Sequence, residues 1–374
     1  MTTVNLTTLN QDFARPLWCL LGLPFDAVNM QQTAQLIQQT IEQNIPCFLS
    51  TPNLNFLCAA QGDKSFRQSV INSELSIVDG FPIILIAKLL QIPLPERVAG
   101  SDLIDYLYQL NNNKPVKVFF FGGTESAGGL ACEKINRTQA GIQAVGYYSP
   151  GFGSINEMSS EIILNQINQA KPDFLIVALG AKKGQTWIEK NRHQLNAPVI
   201  SHLGAVINFY AGSIKRAPIL WQRLGLEWLW RIYQEPNLWQ RYYHDGIDFI
   251  KLCLFYVLPY HWWLITNQTL LKNTIPCEIL IDKSLDITYV SLTGHCVNKT
   301  INALRNELKF LSLDKKDITI DLCKVEVIDG AFIGLIFILS KYLALSNNSA
   351  YLINPTAVVK AILIWNRVDY FIKK

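Results

Sequence analysis

Three polar positions in this chain follow short apolar runs, and each carries chemistry that a bare turn does not require. Asp79 closes LSIVDG and is followed at once by Gly80 and the apolar segment FPIILIAKLLQ. Burial raises the pKa of a carboxyl group so placed, and helix-terminal amides lower it. Such a group can cap a helix, or it can take the proton of an alcohol during group transfer. Thr51 and Asn53 put a hydroxyl and an amide after the run Cys47–Ser50, where a turn with Asn53 as helix cap accounts for them as well. Gly122 and Gly123 end VKVFFFGG, and glycines there let backbone N–H groups approach a phosphate at a helix start.

Positive charge gathers later in the chain. Between Asn208 and Tyr243, Arg216, Arg223, Arg231 and Arg241 are interleaved with Trp221, Trp228, Trp230 and Trp239. From Ile219 to Tyr233 the pattern is helical. Arg223, Glu227 and Arg231 recur every four residues as one polar stripe with opposite-charge pairs. The rest of that helix is apolar. It is therefore either a core helix with a salt-bridged edge or a surface for a membrane interface, where guanidinium groups meet phosphate. Phe249–Thr266 extends the apolar character; Lys251, Pro259 and His261 interrupt it, so an interfacial segment or a buried inter-domain helix is expected rather than a span.

The elements that must hold these residues alternate. Strands are expected at Trp18–Leu23, Cys47–Ser50, Leu75–Gly80, Val116–Gly123, Gly141–Tyr147, Phe174–Gly180 and Val199–Leu203. Helices lie between them, one over Asn29–Gln43 capped by Asn29 and one capped by Ser101. Alternating apolar strands and helices predict an α/β fold, Rossmann-like, with a mainly parallel sheet covered on both faces. Ligands of such sheets lie beyond the carboxyl ends of the strands. After a linker at NQTLLKNT, a small second α/β unit begins at Cys277, with strands EILID, TYVSLTG, DITIDLCK and AYLINP. The expected division is residues 1–212, a helical appendage over 213–268, and a unit over 275–374.

The 374 residues suffice for two domains, with 49% hydrophobic and 17% charged residues. A net charge of +4, without basic runs, excludes a general nucleic-acid binder. The eight cysteines show no metal-binding spacing and are expected as reduced thiols; no metal ligand set is expected. The glycines do not form G-x-G-x-x-G, which disfavours a nicotinamide-dependent oxidoreductase.

The runs AGSIKRAP, GLEWLWRIYQEP and RY (within residues 208–243) resemble the closing motif of the WecG/TagA/CpsF glycosyltransferases, and the resemblance covers roughly Leu20 to Tyr243. It implies transfer of an N-acetylmannosamine-type or related hexose from a UDP-sugar to a polyprenyl-diphosphate-linked acceptor. The setting would be cell-surface polysaccharide synthesis, peripherally at the inner, cytoplasmic face of the membrane, with no cofactor. Asp79 matches the family's proposed general base, Thr51 and Asn53 its sugar pocket, and Gly122–Gly123 its glycine motif. Arg97, in ERVAGSDL with Gly100 and Asp102, would pair with the diphosphate, or else with Glu96 or Asp102. The family's G-x-P-K-Q-E-x-W becomes Gly180-Ala181-Lys182-Lys183-Gly184-Gln185-Thr186-Trp187 here. Gln185 thus stands where the family has glutamate and Gly184 where it has glutamine; Asn208 replaces an aspartate and His202 a glycine. No D-x-D occurs, so the arginines, Arg216, Arg223 and Arg231 among them, are expected to stabilise the leaving UDP.

The centre of the second unit, DITIDLCKVEVIDGAFIGLIFI, resembles a STAS domain. Asp329 is followed by Gly330 and Ala331, without the serine of phospho-switch members, which implies a docking module. A protein partner there and self-association are both admitted. The alternative to an active enzyme is a catalytically impaired transferase-fold scaffold acting through that unit.

Overall fold

A computed structural model describes residues 6–110, 114–137, 141–284 and 287–373, with the side chains of Ile219 and Arg223 outside the description. Two units are built from interleaved stretches of chain. One comprises Val28–Ile84 and Pro95–Ile247; the other comprises the chain up to Ala27, Leu85–Leu94 and Asp248 onward.

An N-terminal hairpin, β1 (Leu17–Leu20) against β2 (Leu23–Asp26), stands apart from the large sheet. The expected first strand, Trp18–Leu23, is therefore two antiparallel strands turned at Leu21–Gly22, both with positive φ. The large sheet holds β3 (Cys47–Ser50), β4 (Leu75–Ser76), β5 (Val116–Gly122), β6 (Ile142–Tyr148), β7 (Phe174–Ala178) and β8 (Val199–His202). Their order is β4-β3-β8-β7-β5-β6, and every pairing is parallel. Runs such as FLIV and VFFF are buried on both faces, as strands between two helix layers must be. One apolar cluster, with Phe120, Ile176 and Ile207, fills one face; Phe121, Leu175 and Trp187 fill the other. The helix Met30–Gln43 carries the expected Asn29 cap, completed as a capping box by Gln32.

The second sheet has the order β12-β11-β10-β9, from β9 (Glu278–Lys283), β10 (Ile287–Cys296), β11 (Asp317–Ile328) and β12 (Ala350–Ile353). Only the β9–β10 pair is antiparallel. The helix Gly330–Ala344 is buried almost throughout, because residues 6–26 pack over it. A Cβ on Gly334 would lie 2.4 Å from the Leu17 carbonyl oxygen, so glycine permits the hairpin's close approach. Lys341 Nζ and the Tyr342 hydroxyl both donate to buried Asp12 Oδ2, each at 2.8 Å. Asp329 caps the same helix: Oδ1 accepts from Ala331 and Phe332, and Oδ2 from the Asn298 amide. None of the eight cysteines is joined in a disulfide.

The helix predicted over Ile219–Tyr233 is two helices, Ile219–Arg223 and Glu227–Gln234. Gly225, at φ 72°, ends the first, and a Cβ there would meet the Phe81 ring at 2.4 Å. The four-residue stripe is thereby split. Beyond it one continuous helical run, Pro236–Thr266, is long and apolar enough to cross a membrane, though only 22% of its most apolar stretch is buried. A π-turn at Cys253–Val257 lies just before Pro259, whose missing N–H the altered register accommodates. Leu252, Val257, Tyr260 and Leu264 are buried, while Trp239, Tyr243, Ile247, Ile250, Leu254, Leu258, Trp262 and Ile265 form an exposed apolar stripe at helical spacing.

Removing one partner of a buried charge cluster leaves the other uncompensated. Asp12→Ala should therefore destabilise the unit containing Lys341 by about 3–5 kcal/mol, seen as a lower midpoint in urea-monitored circular dichroism.

Candidate functional site

At the carboxyl edge of the large sheet, the turns after β3 and β4 meet the start of the helix Gly100–Gln109. Asn53 caps the helix Leu54–Gly62 by accepting from the Phe56 amide at 3.2 Å, which is the turn role its position suggested. Among the described residues its amide nitrogen has no hydrogen-bond partner. A Cβ on Gly80 would stand 3.6 Å from Asn53 Cβ, and one on Gly100 3.6 Å from Thr51 Cγ2. These are ordinary contact distances; the absent Cβ that matters is at Gly100, where one would lie 2.2 Å from Leu203 Cδ2.

Asp79 is placed by its own amide, which donates to the Pro52 carbonyl at 3.1 Å. Its carboxylate accepts from the Gly100 amide, the first N–H of the helix Gly100–Gln109. The cap reading thus holds for a different helix from the one that follows Asp79. Ser101 does not cap that helix; Ala99 occupies the cap position without a side-chain bond, and Ser101 Oγ instead accepts from Arg216. Burial pushes the Asp79 carboxyl up to about 7; the Arg97 guanidinium opposes this, and Glu227 and Asp102 reinforce it.

Arg97 is not an open cation. It donates to Asp102 at 2.7 Å and to Glu227 at 2.9 Å, while Glu96 accepts from the Met30 amide. Arg216 is bound to Asp102 and Asp105, and its guanidinium lies 5.6 Å from the Phe209 ring centre. Asp105 also accepts from the Tyr210 hydroxyl at 2.9 Å. Asp79, Arg97, Asp102, Arg216 and Asp105 therefore form one chain of alternating charge, with Glu227 branching from Arg97; of these only Asp79, Arg97 and Arg216 had been singled out as site residues. The sequence offers Asp102 as an alternative partner of Arg97 and Glu227 as part of the four-residue stripe, and the structure pairs both with Arg97; Asp105 carries no signal of its own in the sequence. Arg231 stands outside that chain, paired with Glu235 at 2.6 Å. Arg223, also expected at the diphosphate, has its side chain outside the described residues.

The other expected positions line the same edge farther along. Gly122 is the last residue of β5, at φ 110°, where a Cβ would strike the Ala178 carbonyl at 2.5 Å. The Gly123 N–H, expected to face a phosphate, donates instead to that carbonyl at 3.2 Å. Gly180, at φ 82°, opens the helix Ala181–Asn191 with nothing near its Cβ position. Gln185 is wholly buried; its Nε2 donates to Ser50 Oγ at 2.7 Å, and its Oε1 has no partner among the described residues. Lys182 pairs with Asp63, and Lys183 donates to the Gly153 carbonyl, so neither is free for a diphosphate. Among the described residues no group of three or more His, Cys, Asp or Glu side chains is arranged to hold a metal.

The glycosyl transferase WecG/TagA/CpsF family model matches residues 18–261. This chain belongs to that family. It is a glycosyltransferase. The match begins within the N-terminal hairpin and ends within the long two-faced helix, so the family's sequence runs through both structural units. Among curated relatives is the N-acetylglucosaminyldiphosphoundecaprenol N-acetyl-β-D-mannosaminyltransferase of Bacillus subtilis strain 168, 29% identical over 201 residues. That alignment covers 54% of this chain and 77% of the relative. The like-named enzyme of Bacillus spizizenii is 28% identical over 54% of this chain and 76% of its own, and that of Staphylococcus aureus MRSA252 is 25% identical over 57% and 82%. The unphosphorylated anti-sigma factor antagonist SpoIIAA is a solved structure matching 26% of this transferase and 86% of its own chain, at 13% identity and a TM-score of 0.24.

Because the folded state raises the Asp79 pKa from 3.8 to about 7, it binds a proton that the unfolded chain releases between those values. Stability therefore falls as pH rises through that window, and the cost is fully present above it. Asp79→Asn should melt no lower than wild type near pH 4 and several degrees higher at pH 8, by scanning calorimetry across that range. A melting difference that does not change with pH would contradict the burial argument.

Proposed function

We propose that this transferase moves a hexose, of the N-acetylmannosamine type or related, from a UDP-sugar to a hydroxyl of a polyprenyl-diphosphate-linked saccharide, with inversion. The observation that carries the reading is Asp79. It is a carboxylate at the carboxyl edge of a parallel sheet, held beside Thr51 and Asn53, with a pKa pushed up to about 7. A base of that strength suits removal of an alcohol proton near neutral pH. In the step itself the acceptor oxygen attacks the anomeric carbon from the face opposite the diphosphate. The proton passes to Asp79, the bond from that carbon to the phosphate oxygen breaks, and UDP departs with the electron pair. The relatives' names specify a diphospho-lipid acceptor, which supports the same acceptor class here.

Charge on the departing UDP falls to Arg97 and Arg216. Both are held by carboxylates in the structure, so a diphosphate must compete with Glu227 and Asp102 for them. Glu227 begins the Trp-rich helix Glu227–Gln234, so the exchange at Arg97 would be felt by that helix. No metal is assigned, because the chain lacks D-x-D and the arginines offer an alternative charge partner.

The exposed stripe from Trp239 to Ile265 supports peripheral binding to the inner face of the membrane, where aromatic and aliphatic side chains enter the interface.

With a UDP-N-acetylhexosamine panel and a short-chain lipid-diphosphate monosaccharide acceptor, acceptor-dependent UDP release should persist in EDTA. It should fall about 10²–10⁴-fold in Asp79→Asn, and wild-type kcat/KM should rise with pH to a plateau above about 7. Binding of UDP-sugar with no turnover on any acceptor would favour the scaffold alternative. Separately, replacing Trp239, Ile250, Leu258 and Trp262 together with serine should reduce sedimentation with anionic vesicles at least several-fold while leaving the melting midpoint near wild type. Unchanged sedimentation would remove the stripe from the interface.

A further inference from the structure

Two departures from the family pattern, far apart in sequence, meet in space. His202 is the last residue of β8, and its ring is about nine-tenths buried. A Cβ on Gly184 would lie 2.3 Å from His202 Cδ2, and one on Gly204 would lie 3.3 Å from Nε2. The imidazole thus occupies the room that any side chain at residue 184 would need. Glycine at 184 and histidine at 202 are therefore sterically interlocked in this chain. The Phe56 ring, in the helix that Asn53 caps, lies 6.2 Å away, centre to centre.

Two buried polar atoms near this place have no protein partner among the described residues, His202 Nε2 and Gln185 Oε1. Gln185 reaches Ser50, the last residue of β3. β3 pairs with β8 at Leu49 opposite Ser201, so Ser50 and His202 are the next residues on the two strands. Thr51 and Asn53 continue from there. A buried orphan is unfavourable unless something bonds to it, and both stand at the edge where parallel sheets take their ligands.

We propose that His202 is a specificity-determining residue which, with Gln185 Oε1, hydrogen-bonds the sugar of the donor and not its phosphates. This rests on the reading of the site as one for a UDP-sugar. An uncharged imidazole has no Coulombic grip on a diphosphate, whereas it can donate or accept at Nε2 by choice of tautomer, which suits hydroxyl and acetamido groups. Burial holds the His202 pKa down to about 4, so the ring is uncharged throughout the neutral range.

The test is calorimetric titration of the full chain with UDP, UDP-N-acetylmannosamine and UDP-N-acetylglucosamine. In His202→Phe the affinity for whichever UDP-sugar wild type prefers should fall about 10- to 100-fold, with UDP affinity within twofold of wild type. His202→Gln, which keeps a polar group, should recover part of the loss. Turnover should be lost through KM more than through kcat. Gly184→Ala should lower both the melting midpoint and sugar affinity by displacing the ring. Adding His202→Gly to it should restore the midpoint but not the sugar affinity. Equal loss of UDP and UDP-sugar binding in folded variants would make His202 a structural residue and overturn the proposal, as would unchanged UDP-sugar binding in His202→Phe. Wild type that binds neither UDP nor any UDP-sugar would instead strike the donor reading itself, a result distinguishable from both.

Discussion

The site turns on how one carboxylate is held partly out of water. The burial of Asp79 is opposed chiefly by the Arg97 guanidinium and then by the Gly100 amide, and that guanidinium is shared with Asp102 and Glu227. An undivided Arg97 would pull Asp79 well below neutrality and leave it too weak a base for an alcohol. Dividing the arginine between two other acids keeps it nearby while weakening its hold. The alternating chain of Asp79, Arg97, Asp102, Arg216 and Asp105 is thus best understood as a device for tuning one member, since exposed or half-exposed ion pairs add little stability by themselves.

That arrangement ties the closing motif to the start of the sheet. Glu227 and Arg216 come from the Arg- and Trp-rich stretch, more than a hundred residues after Asp79, and they complete the electrostatics around it. The polar residues of that stretch face the sheet edge through these pairs, and its apolar residues Leu220, Trp221, Leu224 and Trp228 stay exposed. Within the stretch Arg216 and Glu227 turn toward the sheet edge, Arg231 pairs locally with Glu235, and Arg241, Trp221 and Trp228 are exposed.

The strands of the large sheet and the positions at its carboxyl edge could be read from alternation alone, because fully buried parallel strands leave continuous apolar runs between turn residues. The family motifs then pointed to Thr51, Asn53, Asp79 and Arg97, which the fold does bring together. What could not be read was how the polar groups are spent. Glycines after a strand suggest free amides, yet the Gly123 N–H is consumed by the neighbouring strand. Arginines near an expected diphosphate suggest free cations, yet Arg97, Arg216 and Arg231 are each paired with an acid. Periodicity likewise continued a helix through Gly225, where a positive φ and the Phe81 ring forbid it. The hairpin at Leu17–Asp26 has the look of a first strand because it is wholly buried. It owes that burial to the helix Gly330–Ala344, three hundred residues on, which no local pattern reveals.

That long-range contact also recasts the second unit. In a free-standing module a nearly all-apolar helix such as Gly330–Ala344 would leave a hydrophobic face in need of a partner. Here residues 6–26 cover it, through backbone laid against Gly330 and Gly334 and a carboxylate set under Lys341 and Tyr342. A Cβ on Gly330 would likewise lie 2.8 Å from the Cys19 carbonyl oxygen, so a side chain at this helix start would displace the hairpin. Any partner of this unit must therefore use a surface other than that helix, or first compete with the chain's own N-terminal segment for it.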